Sequence, residues 1–244
     1  MPRLDPVDLF VPVDLFVPGC AVLLDFDGPV CAVFSGYPAP GIADVLRRII
    51  TRHGHPLPDD VQATPDPFHV IRRAADIAPG LGPELEAALT DAELRAVTCA
   101  TPTPGSTALL AACVASGRPV AVVSNNSAEA ITAYLDEHGL TDAVRHVQGR
   151  AKTDATLMKP HPYPVLQALA ALSADPTTHA GSAVLIGDSR ADVDAARAAG
   201  IRALAYANKP PKSRLLADAD AVITSLEPLA HALALQRPHE EIPC

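Results

Sequence analysis

Five short apolar runs, each stopping abruptly at a turn, constrain the fold more than any other feature of this chain. Cys20-Ala-Val-Leu-Leu runs into Asp25-Phe-Asp27-Gly-Pro; the others are Pro119 to Val123, Ala183 to Gly187, Ala203 to Tyr206 and Ala221 to Thr224. Runs this short, with no polar residue alternating through them, read as strands buried on both faces. Between them, segments 106–117, 127–138, 162–172, 190–199 and 212–217 carry helical spacing. Strand alternating with helix predicts an α/β fold: a parallel sheet covered on both faces, whose ligands sit at the carboxyl ends of the strands.

Residues 34–101 break this rhythm. They hold helical patterns near 41–53, 67–77 and 83–97, bounded by prolines, and no convincing apolar strand. The expected organisation is a discontinuous core, 19–33 and 102–234, with a helical cap inserted at 34–101 over the end of the first strand. Linkers near 32–36 and 99–105 would let that cap open and close over a ligand. Residues 7–12 and 13–18 both read Val-Asp-Leu-Phe-Val-Pro. Two proline-punctuated units cannot build a core of their own, so residues 1–18 read as an extended tail on the body, dispensable for activity. Residues 235–244 read as a second tail.

Composition removes several function classes. With 244 residues, 48% hydrophobic and 19% charged, the chain is long enough to bury a sizeable core and resembles neither a fibre nor a disordered polyelectrolyte. Aspartate and glutamate outnumber lysine and arginine 28 to 19, a balance that repels a phosphate backbone, so no nucleic-acid partner is expected. No apolar run reaches the roughly 18 to 20 residues of a membrane span, and the acidic, proline-rich start is unlike a secretory signal. The expected location is the cytoplasm, away from membranes. Five cysteines without CxxC spacing read as buried or idle thiols.

The chemistry-bearing residues gather after the predicted strands. Asp25 and Asp27 follow the first, Ser124-Asn125-Asn126 the second, and Gly187-Asp188-Ser-Arg-Ala-Asp192 the third run from the end; Lys159-Pro160 stands before a helical segment and is expected to open it. Singly each has a plain explanation. Asp25 and Asp27 suit a turn, Ser124 a helix cap, Lys159 a solvated surface, and Asp188 with Asp192 a capped helix start.

In this order and on these elements, however, the four motifs resemble the haloacid dehalogenase superfamily, in its phosphoglycolate-phosphatase-like branch with a helical cap. The resemblance covers residues 20–230. Asp25-Phe-Asp-Gly matches the first motif, Val-Val-Ser124-Asn the second, Lys159-Pro the third and Gly-Asp188-x-x-x-Asp192 the fourth. It implies a Rossmann-like core and a Mg²⁺-dependent phosphatase acting on a small phosphorylated metabolite.

The residue types suit that chemistry. A phosphate monoester is a dianion that repels nucleophiles, so it must be neutralised and held in line with the attacking atom. Asp25 is the candidate nucleophile, forming an aspartyl-phosphate that divides one hard displacement into two easier ones. The resemblance makes Asp27 the general acid and base, with its backbone carbonyl on the metal. Asp25 and Asp188 supply the other protein ligands to Mg²⁺, which prefers oxygen and keeps waters. Ser124, with the adjoining amide of Asn125, is expected to bind the phosphoryl oxygens at a helix amino terminus, aided by Lys159. Asp192 is expected to brace the site from behind.

One residue departs from the family pattern: Pro29 stands where a small hydroxyl residue is usual, removing a hydrogen bond near Asp27. In the cap, Arg47, Arg48, Arg72 and Arg73 read as solvated or paired rather than substrate-binding. The nine histidines show no metal-ligand spacing. Rival readings are a phosphotransferase or phosphomutase using the same aspartyl-phosphate, and a non-catalytic sensor of a phosphorylated ligand. Dehalogenation and phosphonate hydrolysis are disfavoured because neither requires the second carboxylate. Neither the physiological substrate nor the oligomeric state is legible in the residues.

Overall fold

The computed structural model describes residues 11–17, 19–172 and 183–236. Its main sheet has six strands, all parallel: β1 (Ala21–Leu24), β4 (Val120–Val123), β5 (His146–Gln148), β6 (Ala183–Gly187), β7 (Arg202–Tyr206) and β8 (Ala221–Ile223). They lie in the order β5-β4-β1-β6-β7-β8. The chain therefore starts in the middle, builds outward to one side through β4 and β5, and crosses β1 to build the other side. Such a reversal opens a crevice at the carboxyl ends of the central strands, where loops leave in opposite directions. β1, β4 and β6 meet there.

Alternation along the strands sorts side chains between two cores. Val22, Leu24, Val120, Val122, Val184 and Ile186 face one side, against α5 (Ser106–Ala115), α6 (Ala128–Glu137) and α10 (Glu227–Ala234). Ala21, Leu23, Ala121, Val123, Ala183 and Leu185 face the other, against α7 (Tyr163–Ala171) and α8 (Arg190–Ala198). Every residue of β1, β4 and β6 is buried, as expected for strands covered on both faces.

Between β1 and β4 the chain leaves through β2 (Cys31–Ala32) and returns through β3 (Thr101–Pro102), which pair antiparallel. The expected linkers thus lie strapped side by side. Beyond them stand α1 (Ala39–Arg52), α2 (Asp59–Ala63), α3 (Pro67–Ile77) and α4 (Gly82–Val97), forming the helical cap. Prolines start several of these helices, because a missing N–H costs nothing in the first turn. At α3 the Asp66 carboxylate also accepts from Phe68 N at 2.8 Å. The cap has its own apolar cluster, including Ile42, Leu46, Val70, Leu85 and Leu89. α4 belongs to both bodies, since Ala96 and Val97 at its far end enter the main core.

Several expectations need correction. The second copy of the duplicated segment is not an extended surface tail: Val13–Leu15 form a 3₁₀ turn, and Leu15 and Phe16 are buried in the main core. Arg118 fixes them by donating to Phe16 O at 2.8 Å. Residues 1–10, with most of the first copy, and residues 237–244 lie outside the described residues. The helix expected at 212–217 is α9 (Pro210–Leu215), started early by its two prolines. Lys159 and Pro160 lie in a loop, and α7 begins only at Tyr163. β5 and α10 were not expected; β5 is a half-buried edge strand with polar ends, too short and too mixed to show a period. No helix among the described residues is long and apolar enough to cross a membrane.

Candidate active site

The crevice gathers all seven expected residues. Asp25 continues β1 by one residue, its N–H donating to Ile186 O at 2.9 Å, so its side chain stands at the strand tip. One carboxylate oxygen accepts from Phe26 N at 2.7 Å, and the Lys159 ammonium lies 2.8 Å from it. Lys159 is fully buried and uses its three protons on Asp25, on Asp192 Oδ1 at 2.6 Å and on Val123 O at 2.8 Å. The solvated reading of this lysine is excluded.

One ammonium shared by two carboxylates leaves the cluster acidic. Burial is the largest influence on Asp25 and pushes its pKa up to about 7; Asp192 pushes the same way, and Lys159 only partly offsets them. Burial likewise disfavours the charged form of Lys159, yet Asp192 and Asp25 more than compensate and hold its pKa above the ordinary lysine value.

Asp27 lies in the turn after β1, with Oδ1 accepting from Val33 N at 2.9 Å. Burial raises its pKa to about 6 against that hydrogen bond. A carboxyl poised there can hold or release a proton near neutrality, which general acid and base work requires. Gly28 has φ +121°, and a Cβ built on it would stand 2.4 Å from Asp188 Cγ. Only glycine lets the turn press this closely on the third carboxylate. Pro29 is accommodated in the same turn, which receives a hydroxyl from Thr103, donating to Gly28 O.

Ser124 follows β4, and its N–H donates to Gln148 O at 2.9 Å. The helix-cap reading of Ser124 fails, because α6 is capped by Ser127, whose hydroxyl accepts from Ala130 N at 3.4 Å. Asn125 departs from its expected part: its amide grips the Lys159 backbone on both sides, Oδ1 accepting from Lys159 N at 2.8 Å and Nδ2 donating to Lys159 O at 3.2 Å. That side chain holds the lysine loop in place.

Asp188 follows β6 and meets Asn208 Nδ2 at 3.3 Å and the ammonium of Lys212. Burial raises its pKa, opposed by Lys212. Asp192 satisfies the plain and the functional reading together. Its Oδ2 accepts from Ser189 N at 3.0 Å and Ser189 Oγ at 2.6 Å in a capping box, while Oδ1 receives Lys159.

Carboxylate oxygens of Asp25, Asp188 and Asp192 lie within 4.8 Å of one another. These hard oxygen donors, in an acidic cluster that one lysine does not neutralise, fit a small divalent cation. Because both oxygens of Asp192 are already engaged, Asp25 and Asp188 are the carboxylates available to hold it.

A cavity of about 300 Å³ opens onto this cluster. Its floor includes Asp25, Asp27, Ser124, Lys159 and Asp188, and its cap wall is Asp66, Phe68 and Arg72. Arg47 is occupied with the carbonyls of Val61 and Thr64, Arg73 pairs with Asp60 and Asp76, and Arg48 is exposed, as expected for cap arginines. Arg72 departs from that expectation. It lines the cavity, donates to Lys159 O at 3.4 Å, and among the described residues has no carboxylate within ion-pair distance. Cys20, Cys31 and Cys113 are buried, and burial pushes all three thiols up, keeping them protonated and inert.

The model of the haloacid dehalogenase-like hydrolases matches residues 21–200. The chain belongs to that family. A plasmid-encoded phosphoglycolate phosphatase of Cupriavidus necator is 30% identical over 237 residues, covering 91% of this chain and 96% of the relative. Among solved structures, CbbY from Rhodobacter sphaeroides in complex with phosphate superposes with a TM-score of 0.60 at 19% identity, over 86% of this chain and 95% of that one. The β-phosphoglucomutase from Clostridium difficile gives 0.60 at 17%, over 86% and 92%. At these identities the two structures speak for the shared fold of this hydrolase.

Sequence reasoning missed a buried group beside the site. Arg150, just past β5, pairs with Glu93 at 2.6 Å and Glu86 at 2.8 Å, both on α4. The seven-residue spacing of the two glutamates, two helical turns on one face, was a readable signal. Nothing local pointed to Arg150, Asn208 or Lys212.

Proposed function

We propose that this hydrolase is a Mg²⁺-dependent phosphatase that cleaves a short phosphorylated metabolite through an aspartyl-phosphate on Asp25. The observation that carries the reading is the placing of Lys159 Nζ 2.8 Å from Asp25 on the floor of a cavity that also holds Ser124, Asp27 and Asp188. Lys159 and the Ser124 hydroxyl are the donors available for the phosphoryl oxygens. An Asp25 carboxylate oxygen attacks phosphorus and the bond to the alkoxide breaks, while protonated Asp27 gives its proton to the departing oxygen. In the second half, Asp27, now ionised, takes a proton from water as the water attacks phosphorus and the bond to Asp25 breaks. Phosphate leaves, and Asp27 is again protonated.

Asp25 must be ionised to attack, which burial and Asp192 oppose. A bound Mg²⁺, held by Asp25, Asp188 and the Asp27 carbonyl, would supply the positive charge that favours this ionisation and neutralises the phosphate. Asp192 holds Lys159 from behind.

The substrate reading rests on cavity size and on Arg72. About 300 Å³ is at the small end for ligand pockets and suits a phosphate with a leaving group of a few atoms. Arg72 brings a guanidinium to the wall facing the floor, suited to a carboxylate on that leaving group. A short phosphorylated hydroxy acid of the phosphoglycolate kind meets both conditions, in keeping with the Cupriavidus relative. The test is phosphate release from a panel of phosphomonoesters with and without Mg²⁺, for the wild-type protein and Asp25→Asn. Release from phosphoglycolate that needs Mg²⁺ and disappears in the variant is expected. Transfer of the phosphoryl group to a second sugar, binding without turnover, or release retained by Asp25→Asn would each overturn the reading.

A further inference from the structure

The loop carrying Ser124 is held from the cap side by a buried carboxylate. Glu93, on α4, has no exposed surface. Its Oε1 accepts from Asn126 Nδ2 at 3.1 Å and its Oε2 from Ser127 N at 3.0 Å. Arg150 lies against the same carboxylate at 2.6 Å and donates from the same nitrogen to Asn125 O at 3.1 Å. Three consecutive residues of the loop, Asn125 to Ser127, are thus fixed by one ion pair whose halves come from α4 and from the end of β5.

The connection reaches Ser124 through one amide. Because Asn126 must turn its Nδ2 toward Glu93, its Oδ1 faces the Ser124 hydroxyl, which donates to it at 3.2 Å, and Asn126 N donates back to Ser124 Oγ at 3.3 Å. If Glu93 were absent, nothing would dictate which end of the amide met Ser124. Close packing enforces the arrangement. A Cβ on Gly149, next to Arg150, would stand 2.4 Å from Ala128 N and 2.9 Å from Asn126 O, so β5 presses directly on this loop. The remaining polar atoms are satisfied: Arg150 Nε meets Glu86, and Arg150 Nη2 donates to Thr90 Oγ1 at 3.2 Å. A fully bonded buried network specifies one arrangement.

We infer that Glu93 is a positioning residue for phosphate binding: paired with Arg150, it orients Asn126 and thereby sets the Ser124 hydroxyl that meets the phosphoryl group. The inference rests on the reading of Ser124 as a phosphate ligand. It also makes the cap a structural part of the phosphate site, beyond any covering of it.

The test is a double-mutant cycle on the full chain, reading the inhibition constant of orthophosphate in the presence of Mg²⁺ for wild type, Glu93→Gln, Ser124→Ala and the double variant. Expected are a weakening of about tenfold for each single variant and a Glu93→Gln effect below about twofold once Ser124 is alanine, because the two act through one contact. Equal Glu93→Gln effects in both backgrounds would overturn the inference while leaving the phosphate site standing. An unchanged constant in folded Glu93→Gln would do the same. No effect of Ser124→Ala alone would remove the phosphate-site reading and the inference with it. Should Glu93→Gln fail to fold, Asn126→Ala cuts the connection while sparing the ion pair. Additivity of Asn126→Ala with Ser124→Ala would then overturn the inference, and masking would support it.

Discussion

Lys159 reaches Asp25 from a loop 134 positions further along the chain, and its ammonium stands 2.8 Å from the carboxylate with almost no solvent on either group. Breaking such a buried pair leaves a charge without compensation. Lys159→Met strands Asp25 and Asp192 together, and a loss of about 3 to 5 kcal/mol is expected in urea unfolding. Steady-state kinetics should show at least about a hundredfold fall in kcat/KM, because a fixed charge on the phosphoryl oxygens is lost as well. Full stability in this variant would contradict the buried pairing.

Asp25→Asn and Asp188→Asn remove different functions from one cluster. Both should stay folded, since each replaces a carboxylate that burial already disfavours. Turnover in Asp25→Asn should fall by at least about a thousandfold, with no acid-stable phosphoenzyme trapped during hydrolysis. In Asp188→Asn the rise in melting temperature on adding Mg²⁺ should largely vanish. An undiminished Mg²⁺ shift would place the cation elsewhere.

The raised Asp27 pKa sets a pH dependence with a definite sign. A carboxyl with an ordinary value of 3.8 unfolded and about 6 folded binds more protons in the native state across that window. Its contribution to stability therefore declines as pH rises from about 4 to above 6. Without Mg²⁺, the melting temperature of the wild type should fall relative to Asp27→Asn between pH 5 and pH 7.5. Parallel curves for the two proteins would show that the folded pKa is not raised.

Phe16 lies in the segment that the duplicated sequence marks as a tail, yet only 1% of it is exposed. Phe16→Ala opens a hole in the main core and should cost about 3 to 5 kcal/mol, read by chemical denaturation. A change within experimental error would return this segment to the surface.

What the sequence determined by itself was the order of the strands' tips. Asp25, Ser124 and Asp188 each directly follow an unbroken apolar run, so the local pattern that makes a strand also marks the residue at its end. The alternation of strands with helices then brings those ends to one edge of a parallel sheet. Cap helices α1, α3 and α4 were legible for the same reason, because their apolar spacing and starting prolines are local.

Only the tertiary structure decided the rest. The partners of Arg150 lie 57 and 64 residues away on α4, and Asn125 finds the Lys159 backbone 34 residues on. Arg72 has the same local surroundings as Arg73, yet one lines the cavity and the other pairs on the surface. Leu15 and Phe16 sit in a motif whose prolines exclude regular structure without excluding burial. Local backbone preference acts over a few residues and can be read along the chain, whereas the company a charged or apolar side chain keeps is set by packing, which closes only when distant elements meet.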